Sequence, residues 1–230
     1  MKHKFHNPFR DLTHFEMALW LSSLAVIVLS SALSGGRDIL SLLASLIGVT
    51  ALIFVAKGYV FGQVLTIVFA VFYGVISFFF AYYGEMITYL CMSAPMALVA
   101  IIAWLRHPYK DTKEIAIYRV RPRDVLIISL STVIVTVAFY FILAALNTAE
   151  LIVSTVSVAT SWFASMLVFF RSPYYGLAYA ANDVVLIVLW ILAAVEDISC
   201  LPMIFCFLMF LANDIYGCVN WLRMLKKQSS

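Results

Sequence analysis

Eight hydrophobic stretches, each long enough to cross a lipid bilayer, follow one another along this chain of 230 residues. A hydrocarbon core about 30 Å thick needs roughly 20 helical residues to cross it, and backbone in lipid must satisfy its own hydrogen bonds. The predicted spans are Phe15–Leu33, Ile39–Ala56, Val60–Tyr82, Met86–Leu105, Val125–Ala145, Leu151–Phe170, Leu177–Val195 and Pro202–Leu222. The sequence therefore predicts an all-α integral membrane protein with eight transmembrane helices in one domain over residues 1–230.

Composition excludes most other classes of protein. The chain is 64% hydrophobic and 12% charged, with a mean hydropathy of +1.02, values that no soluble domain shares. A net charge of +3 gives no reason to expect nucleic acid as a partner. The four cysteines form no C-x-x-C pair, so neither a zinc site nor a disulfide framework is predicted, and we expect no cofactor.

Basic residues predict the orientation of the spans, because Lys and Arg near span ends are retained on the cytoplasmic side. With both termini inside, the cytoplasmic basic residues are Lys2, Lys4, Arg10, Lys57, Arg106, Lys110, Lys113, Arg119, Arg121, Arg123, Arg171, Arg223, Lys226 and Lys227. Only Arg37 falls outside. The outer turns carry the acids Asp38, Glu85, Glu150, Glu196 and Asp197.

Short sequence anchors recur and indicate an internal duplication. Lys57 ends the second span, Phe61-Gly62 opens the third, and Trp104-Leu105-Arg106 ends the fourth. The same order returns as Arg171, Tyr175-Gly176 and Trp221-Leu222-Arg223. We predict a 1+3+1+3 arrangement: an extra N-terminal helix (15–33), a first three-helix unit (39–105), a linker helix (125–145) and a second three-helix unit (151–222). The linker span returns the second unit to the orientation of the first, so the repeats are parallel.

Two acids lie deep within predicted spans. An ionised carboxylate at the middle of a bilayer costs about 2.5 to 3.5 kcal/mol on insertion scales, and no Lys or Arg lies within any span to compensate Asp183 or Asp214. A rise of 1.5 Å per residue places Asp183 roughly 9 Å, and Asp214 roughly 12 Å, from the inner boundary. The two acids are therefore level.

Helical spacing groups further polar and aromatic side chains beside these acids. On the seventh span they are Tyr175, Tyr179, Asn182 and Asp183, and on the eighth Asn213, Tyr216 and Asn220 next to Asp214. The first unit contributes Gln63, Thr66 and Tyr73, with Ser93 and Pro95. Acids, amides and aromatic faces together predict a site for a small, flat, hydroxyl-bearing and positively charged molecule.

Structural explanations compete with this interpretation. Asn182, Asp183, Asn213 and Asp214 could satisfy one another in an interhelical hydrogen-bond clamp. Trp104 and Trp221 stand at inner span ends and are predicted to belong to the interfacial aromatic belt.

The stretches IGVTALIFVAKGYVFGQVLTIVFAVFYGVIS, YYGEMITYLCMSAPMA and NDIYGCVNW resemble the PnuC family of bacterial vitamin transporters, and the resemblance covers the chain from roughly Phe15 to Lys227. It implies import of nicotinamide riboside across the bacterial inner membrane by facilitated diffusion, on a fold related to the sugar-transporting SWEET proteins. In keeping with passive transport, the chain contains no G-x-x-x-x-G-K-[ST] phosphate-binding loop.

One motif departs from the family. Many relatives carry W-x-x-W-x-x-x-N/D on the penultimate helix, where this chain has Gly176, Tyr179 and Asp183. Related transporters carry thiamine or riboflavin. Two acids would attract nicotinamide riboside, a cation, and repel its phosphorylated mononucleotide; thiamine is also a cation, and riboflavin is neutral and bulkier.

Other functional classes leave weaker traces. An enzyme would need catalytic groups, but no H-E-x-x-H or G-x-S-x-G occurs, and His3, His6, His14 and His107 all lie in the N-terminal segment or a cytoplasmic loop. A channel, or a membrane subunit that needs a partner, remains an alternative to a transporter. The sequence is compatible with a homo-oligomer and does not fix its size.

Overall fold

A computed structural model of the chain describes residues 7–34, 39–80, 82–110 and 112–229. Lys2, Lys4, Arg37 and Asp38, to which the predicted orientation assigns sides, lie outside these residues. Eight helices within the described ranges are long and apolar enough to cross a membrane. They are α1 (His14–Leu33), α2 (Ile39–Ala56), α3 (Val60–Phe79), α4 (Tyr83–Leu105), α5 (Pro122–Ala145), α6 (Leu151–Phe169), α7 (Tyr175–Glu196) and α8 (Leu201–Gln228).

The eight predicted spans are confirmed as helices, and most boundaries agree within a few residues. The largest difference is at α8, which continues to Gln228 instead of ending at Leu222. Its last turn carries Lys226 and Lys227. Positive charges are favourable near a helix C-terminus, so α8 can continue in water beyond the lipid. Hydropathy marks where lipid ends, but a helix can continue beyond that point.

Local sequence signals fix several helix ends. Thr13 caps α1 in a capping box with Glu16, in which each side chain accepts a hydrogen bond from the other residue's backbone N–H. Gly58, at φ 67°, ends α2 in the left-handed conformation that glycine adopts without strain. Helix α4 is interrupted by a π-helical turn over Thr88–Ser93. Such turns insert extra width into a helix and often lie at functional sites.

Six helices close into a ring. Helix α2 packs on α3 and α3 on α4; α4 crosses to α6, α6 packs on α7, α7 on α8, and α8 returns to α2. Helix α1 packs outside α2 and α8, while α5 packs on α6 and buries few of its side chains. The two groups α2–α3–α4 and α6–α7–α8 therefore follow the same order of contacts. This correspondence supports the predicted 1+3+1+3 duplication, which stays a prediction.

The tryptophans of the two repeated anchors make equivalent contacts between these groups. Trp104 of α4 donates its indole N–H to the carbonyl of Val168 on α6, and Trp221 of α8 donates to the carbonyl of Val55 on α2. Their rings lie 5.6 Å apart, and both are buried. The expectation that they form an interfacial belt is wrong: the large rings fill the space where the two groups meet.

The basic residues gather at one end of the ring. The connection between α4 and α5 packs there, since Ile115 donates its backbone N–H to Gly58 and Gln228 bonds the backbone of Ile115 and Ile117. We call this the basic end. The opposite end carries exposed Glu150, Glu196 and Asp197, and we call it the acidic end. Assignment of the basic end to the cytoplasm stays a prediction.

Candidate functional site

A cavity lies inside the ring, on the basic side of its middle. Helices from both groups contribute to its walls: α2, α3 and α4 on one side and α6, α7 and α8 on the other. The cavity volume is about 70 Å³, small beside the roughly 300 Å³ or more of typical small-molecule sites. A nucleoside is larger, so the walls would separate to admit one.

Asp183 and Asp214 meet in this cavity, as their predicted depths indicate. Both side chains are buried and line the wall, and their carboxyl groups lie within hydrogen-bonding reach of each other. One oxygen of Asp183 has no hydrogen-bond partner among the described residues. No Lys, Arg or His is present among the described residues that line the cavity. Two buried acids in contact, without a basic neighbour, leave the cavity strongly attractive to a cation.

Neighbouring polar groups on α7 are held in fixed orientations by α6. Asn182 accepts hydrogen bonds through its side-chain oxygen from Thr160, at 2.8 Å, and from Ser161, at 3.0 Å. The Tyr179 hydroxyl lies 3.0 Å from that of Ser165. Because the oxygen of Asn182 is engaged, its NH₂ group is the part left to bind a ligand in the cavity.

The first group of helices supplies Gln63 and Thr66 to the cavity, as predicted. Thr66 bonds the carbonyl of Gly62 on its own helix. Gln63 is buried, and its amide makes no side-chain hydrogen bond to the described residues. A buried amide without a protein partner is available to a ligand. Tyr175 also lines the cavity, with its ring 4.3 Å from that of Trp221.

Three of the predicted site residues on α8 lie elsewhere. Asn213 donates to Ser23 of α1 at 3.1 Å, Tyr216 donates to Glu16 of α1 at 2.9 Å, and Asn220 donates to the carbonyl of Ala56 on α2 at 2.9 Å. The prediction that this stripe faces the cavity is wrong. Successive helical residues are turned by about 100°, so the stripe faces α1 and α2 when Asp214 faces the cavity.

Tyr73 also lies away from the cavity wall. Its side chain is fully buried, its hydroxyl accepts a hydrogen bond from the indole N–H of Trp190 at 2.8 Å, and its ring lies 4.3 Å from that of Tyr89. The ring of Phe207 lies 5.6 Å from that of Tyr73. Together, these aromatic side chains fill the space between the six helices on the acidic side of the cavity. We call Tyr73, Tyr89, Trp190 and Phe207 the aromatic partition. It separates the cavity from the acidic end.

Several wall residues have no counterpart in the predicted binding set. They are Gly48, Ala51, Leu52, Val55, Phe69, Tyr89, Ser161 and Phe210. Most are small or apolar, and such residues in a membrane helix look the same in sequence whether they face lipid, a neighbouring helix or a cavity. Ser93, which belongs to the polar set predicted for the first unit, does line the cavity. Ser161 could have been found from its spacing with Ser157 and Ser165, which repeats every four residues along α6.

The missing first tryptophan of the family motif has a steric reason. A side chain on Gly176 would collide with the Asp214 carbonyl oxygen and approach the backbone N of Cys218. Helices α7 and α8 therefore cross closely at this point, which brings Asp183 and Asp214 together. The same backbone contact leaves no room for an indole ring.

Glu85 differs most from its predicted environment. The sequence predicts it in an outer turn, but it lies in the first turns of α4 with no exposed surface. Neither carboxyl oxygen has a well-formed hydrogen bond to the described residues, although the Ser157 hydroxyl of α6 is a close neighbour. The expectation of an exposed acid is wrong because α4 begins earlier than predicted and packs against α6.

Comparison with known proteins supplies a family and a fold. Residues 38–223 match the family model described as nicotinamide mononucleotide transporter. The nicotinamide riboside transporter PnuC of Neisseria mucosa is 26% identical over 226 residues, which is 96% of this chain and 86% of that protein. A crystal structure of the vitamin B3 transporter PnuC superimposes with a TM-score of 0.82 and 24% identity, covering 94% of both chains. This likeness supports the ring of membrane helices described above.

Proposed function

The chain belongs to the nicotinamide mononucleotide transporter family, and on that premise we propose that it carries nicotinamide riboside across a membrane. One observation supports this substrate most directly: Asp183 and Asp214 meet in a buried cavity whose described lining includes no basic side chain. Nicotinamide riboside has a fixed positive charge on a flat ring and three hydroxyls. The carboxyl pair fits the charge, and Gln63 and Asn182 supply amides that can bond hydroxyls.

The mononucleotide named by the family model fits this cavity less well. Its phosphate would enter a space that holds two acids and no Lys or Arg in the described wall, and like charges inside a low-dielectric site repel strongly. The PnuC relative from Neisseria mucosa is a nicotinamide riboside transporter by name. Thiamine is the second candidate, since it too is a cation. Riboflavin, neutral and bulkier, ranks third.

Transport is proposed to be facilitated diffusion into a bacterial cell through the inner membrane, with both termini in the cytoplasm. Basic residues concentrate at the basic end, where the described residues begin and end, as the positive-inside rule requires for that orientation. The sequence has no phosphate-binding loop that would supply ATP energy. No catalytic step forms part of the proposal, and a homo-oligomer is compatible with it.

Uptake by liposomes that contain only this protein tests the proposal. Labelled nicotinamide riboside should enter in a saturable manner, faster than thiamine and much faster than riboflavin or nicotinamide mononucleotide. Entry should stop at the external concentration with or without an imposed pH gradient. Preference for the mononucleotide would contradict the assigned substrate, and accumulation driven by the pH gradient would contradict passive transport.

The carboxyl pair is tested by Asp214→Asn, which preserves shape and removes charge. Loss of a buried charge contact should weaken nicotinamide riboside binding by about tenfold or more, while the neutral form with a reduced pyridine ring should lose less. Binding is measured on purified protein in detergent, with elution as a single species as the check on folding. Equal losses for the charged and the neutral form would show that Asp214 does not recognise charge.

A further inference from the structure

Glu85 is a buried acid that does not line the cavity. It has no exposed surface, and both of its oxygens lack well-formed hydrogen bonds to the described residues. Among those residues, no Lys or Arg lies in the acidic half of the ring. Burying a carboxyl group without partners is costly, and an intramembrane acid usually marks a pathway or a site. The neighbours of Glu85 on α4 and α6 relate it to the cavity.

Glu85 continues the line of cavity residues along α4. Tyr89 and Ser93 both line the cavity, and Glu85 precedes Tyr89 by four residues, so all three share one face of the helix. On α6, which packs against α4, Ser157, Ser161 and Ser165 follow the same spacing. Ser161 lines the cavity, and Ser157 is the neighbour of Glu85. We call these two facing lines the α4–α6 polar row. It runs from the cavity toward the acidic end.

The polar row is under-bonded at its acidic end. The hydroxyl of Ser157 in the row, and those of Thr88 and Thr148 near it, are buried and have no hydrogen-bond partner among the described residues. In a well-packed helix interface such groups are nearly always bonded. These hydroxyls are therefore free to bond water or a ligand.

Along α4, the aromatic partition lies between Glu85 and the cavity, because Tyr89 follows Glu85 by four residues. Tyr89 belongs both to the partition and to the cavity wall, and its ring lies 4.3 Å from that of Tyr73. The π-helical turn that carries Tyr89 lacks the regular α-helical hydrogen-bond ladder at this level. A shift of these two rings would join the cavity to the acidic end along the polar row.

From this arrangement we infer that the α4–α6 polar row is the route between the cavity and the acidic end, and that Glu85 is an outer binding subsite for the substrate's positive charge. The inference rests on the proposed transport of an organic cation. The cation would meet Glu85 and the partition's electron-rich ring faces before it reaches Asp183 and Asp214. Ser157 and Thr88 offer hydroxyls to the sugar at the same level.

Glu85→Gln tests the subsite, since glutamine keeps the shape and removes the charge. In proteoliposomes, kcat/KM for nicotinamide riboside should fall about tenfold, and that for its neutral reduced form by less than about twofold. Equilibrium binding in detergent should stay unchanged, because Glu85 does not line the cavity. Glu150→Gln, an exposed acid at the same end, is the matched control and should change neither value. Equal effects on both substrates, or weakened equilibrium binding, would overturn the subsite.

Access to Glu85 is tested independently of any uptake. In a chain without native cysteines, Glu85→Cys should react with a membrane-impermeant thiol reagent added at the acidic end, and nicotinamide riboside should slow the reaction. The control is Leu143→Cys, which is equally buried and lies at the same depth, beside Gly84, but on α5. If Glu85→Cys reacts no faster than Leu143→Cys, the route is wrong. If the wild type takes up no nicotinamide riboside while Glu85→Cys reacts, the proposed substrate fails and the route stands.

Discussion

The two interfaces that join the three-helix groups use corresponding helices but treat their polar side chains in opposite ways. Between α2 and α8, Asn220 and Trp221 donate hydrogen bonds to the carbonyls of Ala56 and Val55. Between α4 and α6, Trp104 makes the equivalent bond to Val168, but Glu85 and Ser157 remain without well-formed bonds. The polar side chains named at the α2–α8 interface bond across it, whereas Glu85 and Ser157 at the α4–α6 interface lack such bonds. On the basis of this difference, we expect α4 and α6 to separate during transport while α2 and α8 stay together.

Helix α1 strengthens this contrast. It covers the α2–α8 interface and adds the buried ion pair of Glu16 with Lys57, at 2.9 Å, and the bonds from Tyr216 and Asn213. Helix α5, its counterpart in the chain, contacts α6 and leaves most of its surface to lipid. Helix α1 therefore adds polar bonds to one interface, whereas α5 meets the other through apolar contacts such as that of Leu143 beside Gly84. We expect the first to be the fixed side of the molecule and the second the movable side.

Cross-linking each interface should produce the largest effect. A β-carbon on Gly84 would lie 3.4 Å from that of Ser154 across α4 and α6, and one on Gly217 would lie 3.5 Å from that of Ala56 across α2 and α8. The second β-carbon would also displace the hydroxyl of Tyr175, so uptake by the reduced form is measured first. Both separations are close to those of disulfides. In a chain without native cysteines, oxidation of the Gly84→Cys, Ser154→Cys pair should abolish uptake. Oxidation of the Ala56→Cys, Gly217→Cys pair should leave uptake within about twofold of its own reduced form, the baseline that absorbs any effect of the substitutions. The opposite pattern would place the movement at α2 and α8.

Removing the partner of a buried acid should give the next largest effect. Lys57→Ala leaves Glu16 buried without its cation, and we expect the free energy of unfolding to fall by roughly 3 to 5 kcal/mol. Thermal unfolding in detergent measures this change. The double change Glu16→Gln, Lys57→Met should recover much of the loss, because no unpaired charge remains. A Lys57→Ala protein as stable as the wild type would show that the ion pair does not hold α1 in place.

A pair of polar truncations should separate the two interfaces by a smaller margin. Asn220→Ala removes the bond to Ala56 and should cost about 1 kcal/mol of stability, whereas Ser157→Ala removes an unbonded hydroxyl and should cost nothing. Both are compared by thermal unfolding in the same detergent. Equal losses would mean that Ser157 is bonded in the protein and that the contrast between the interfaces is weaker.

The smallest effect should come from the surface ion pair at the basic end. Lys113 lies 2.8 Å from Asp11, but its side chain is 48% exposed. Water and salt screen such a pair, so Lys113→Ala should lower stability by less than about 1 kcal/mol, and added salt should shrink the difference further. A loss comparable to that of Lys57→Ala would show that the connection between α4 and α5 helps to hold the basic end closed.

Sequence reasoning predicts the helices well because lipid imposes length and hydropathy directly on each span. It also brings Asp183 and Asp214 together, since depth follows from the rise per residue and neither acid tolerates lipid. Sequence reasoning does not predict which face of α8 points toward the cavity. Hydropathy around α8 does not distinguish a neighbouring helix from a cavity, so the prediction for Asn213, Tyr216 and Asn220 places them on the wrong side.

Other features depend on contacts that a single sequence does not contain. The burial of Trp104 and Trp221 follows from the meeting of the two groups, and tryptophan at a span end usually suggests the membrane interface. A side chain at position 176 is excluded because the backbone of α8 crosses α7 there. The burial of Glu85 escapes prediction because the predicted start of α4 is three residues late, which moves an interior acid into a turn.

Because of the π-helical turn in α4, the number of residues in this segment sets the direction in which Glu85 points relative to Ser93. Removing one residue between positions 88 and 93 would let the α-helical ladder run through without interruption. The part of α4 before the deletion would turn by about 100° relative to the part after it, and Glu85 would leave the face that carries Ser93. In a relative or an engineered form, a deletion of one residue here would therefore leave an intact helix. Glu85 and Ser93 would no longer share one face, so the polar route for the substrate would be interrupted.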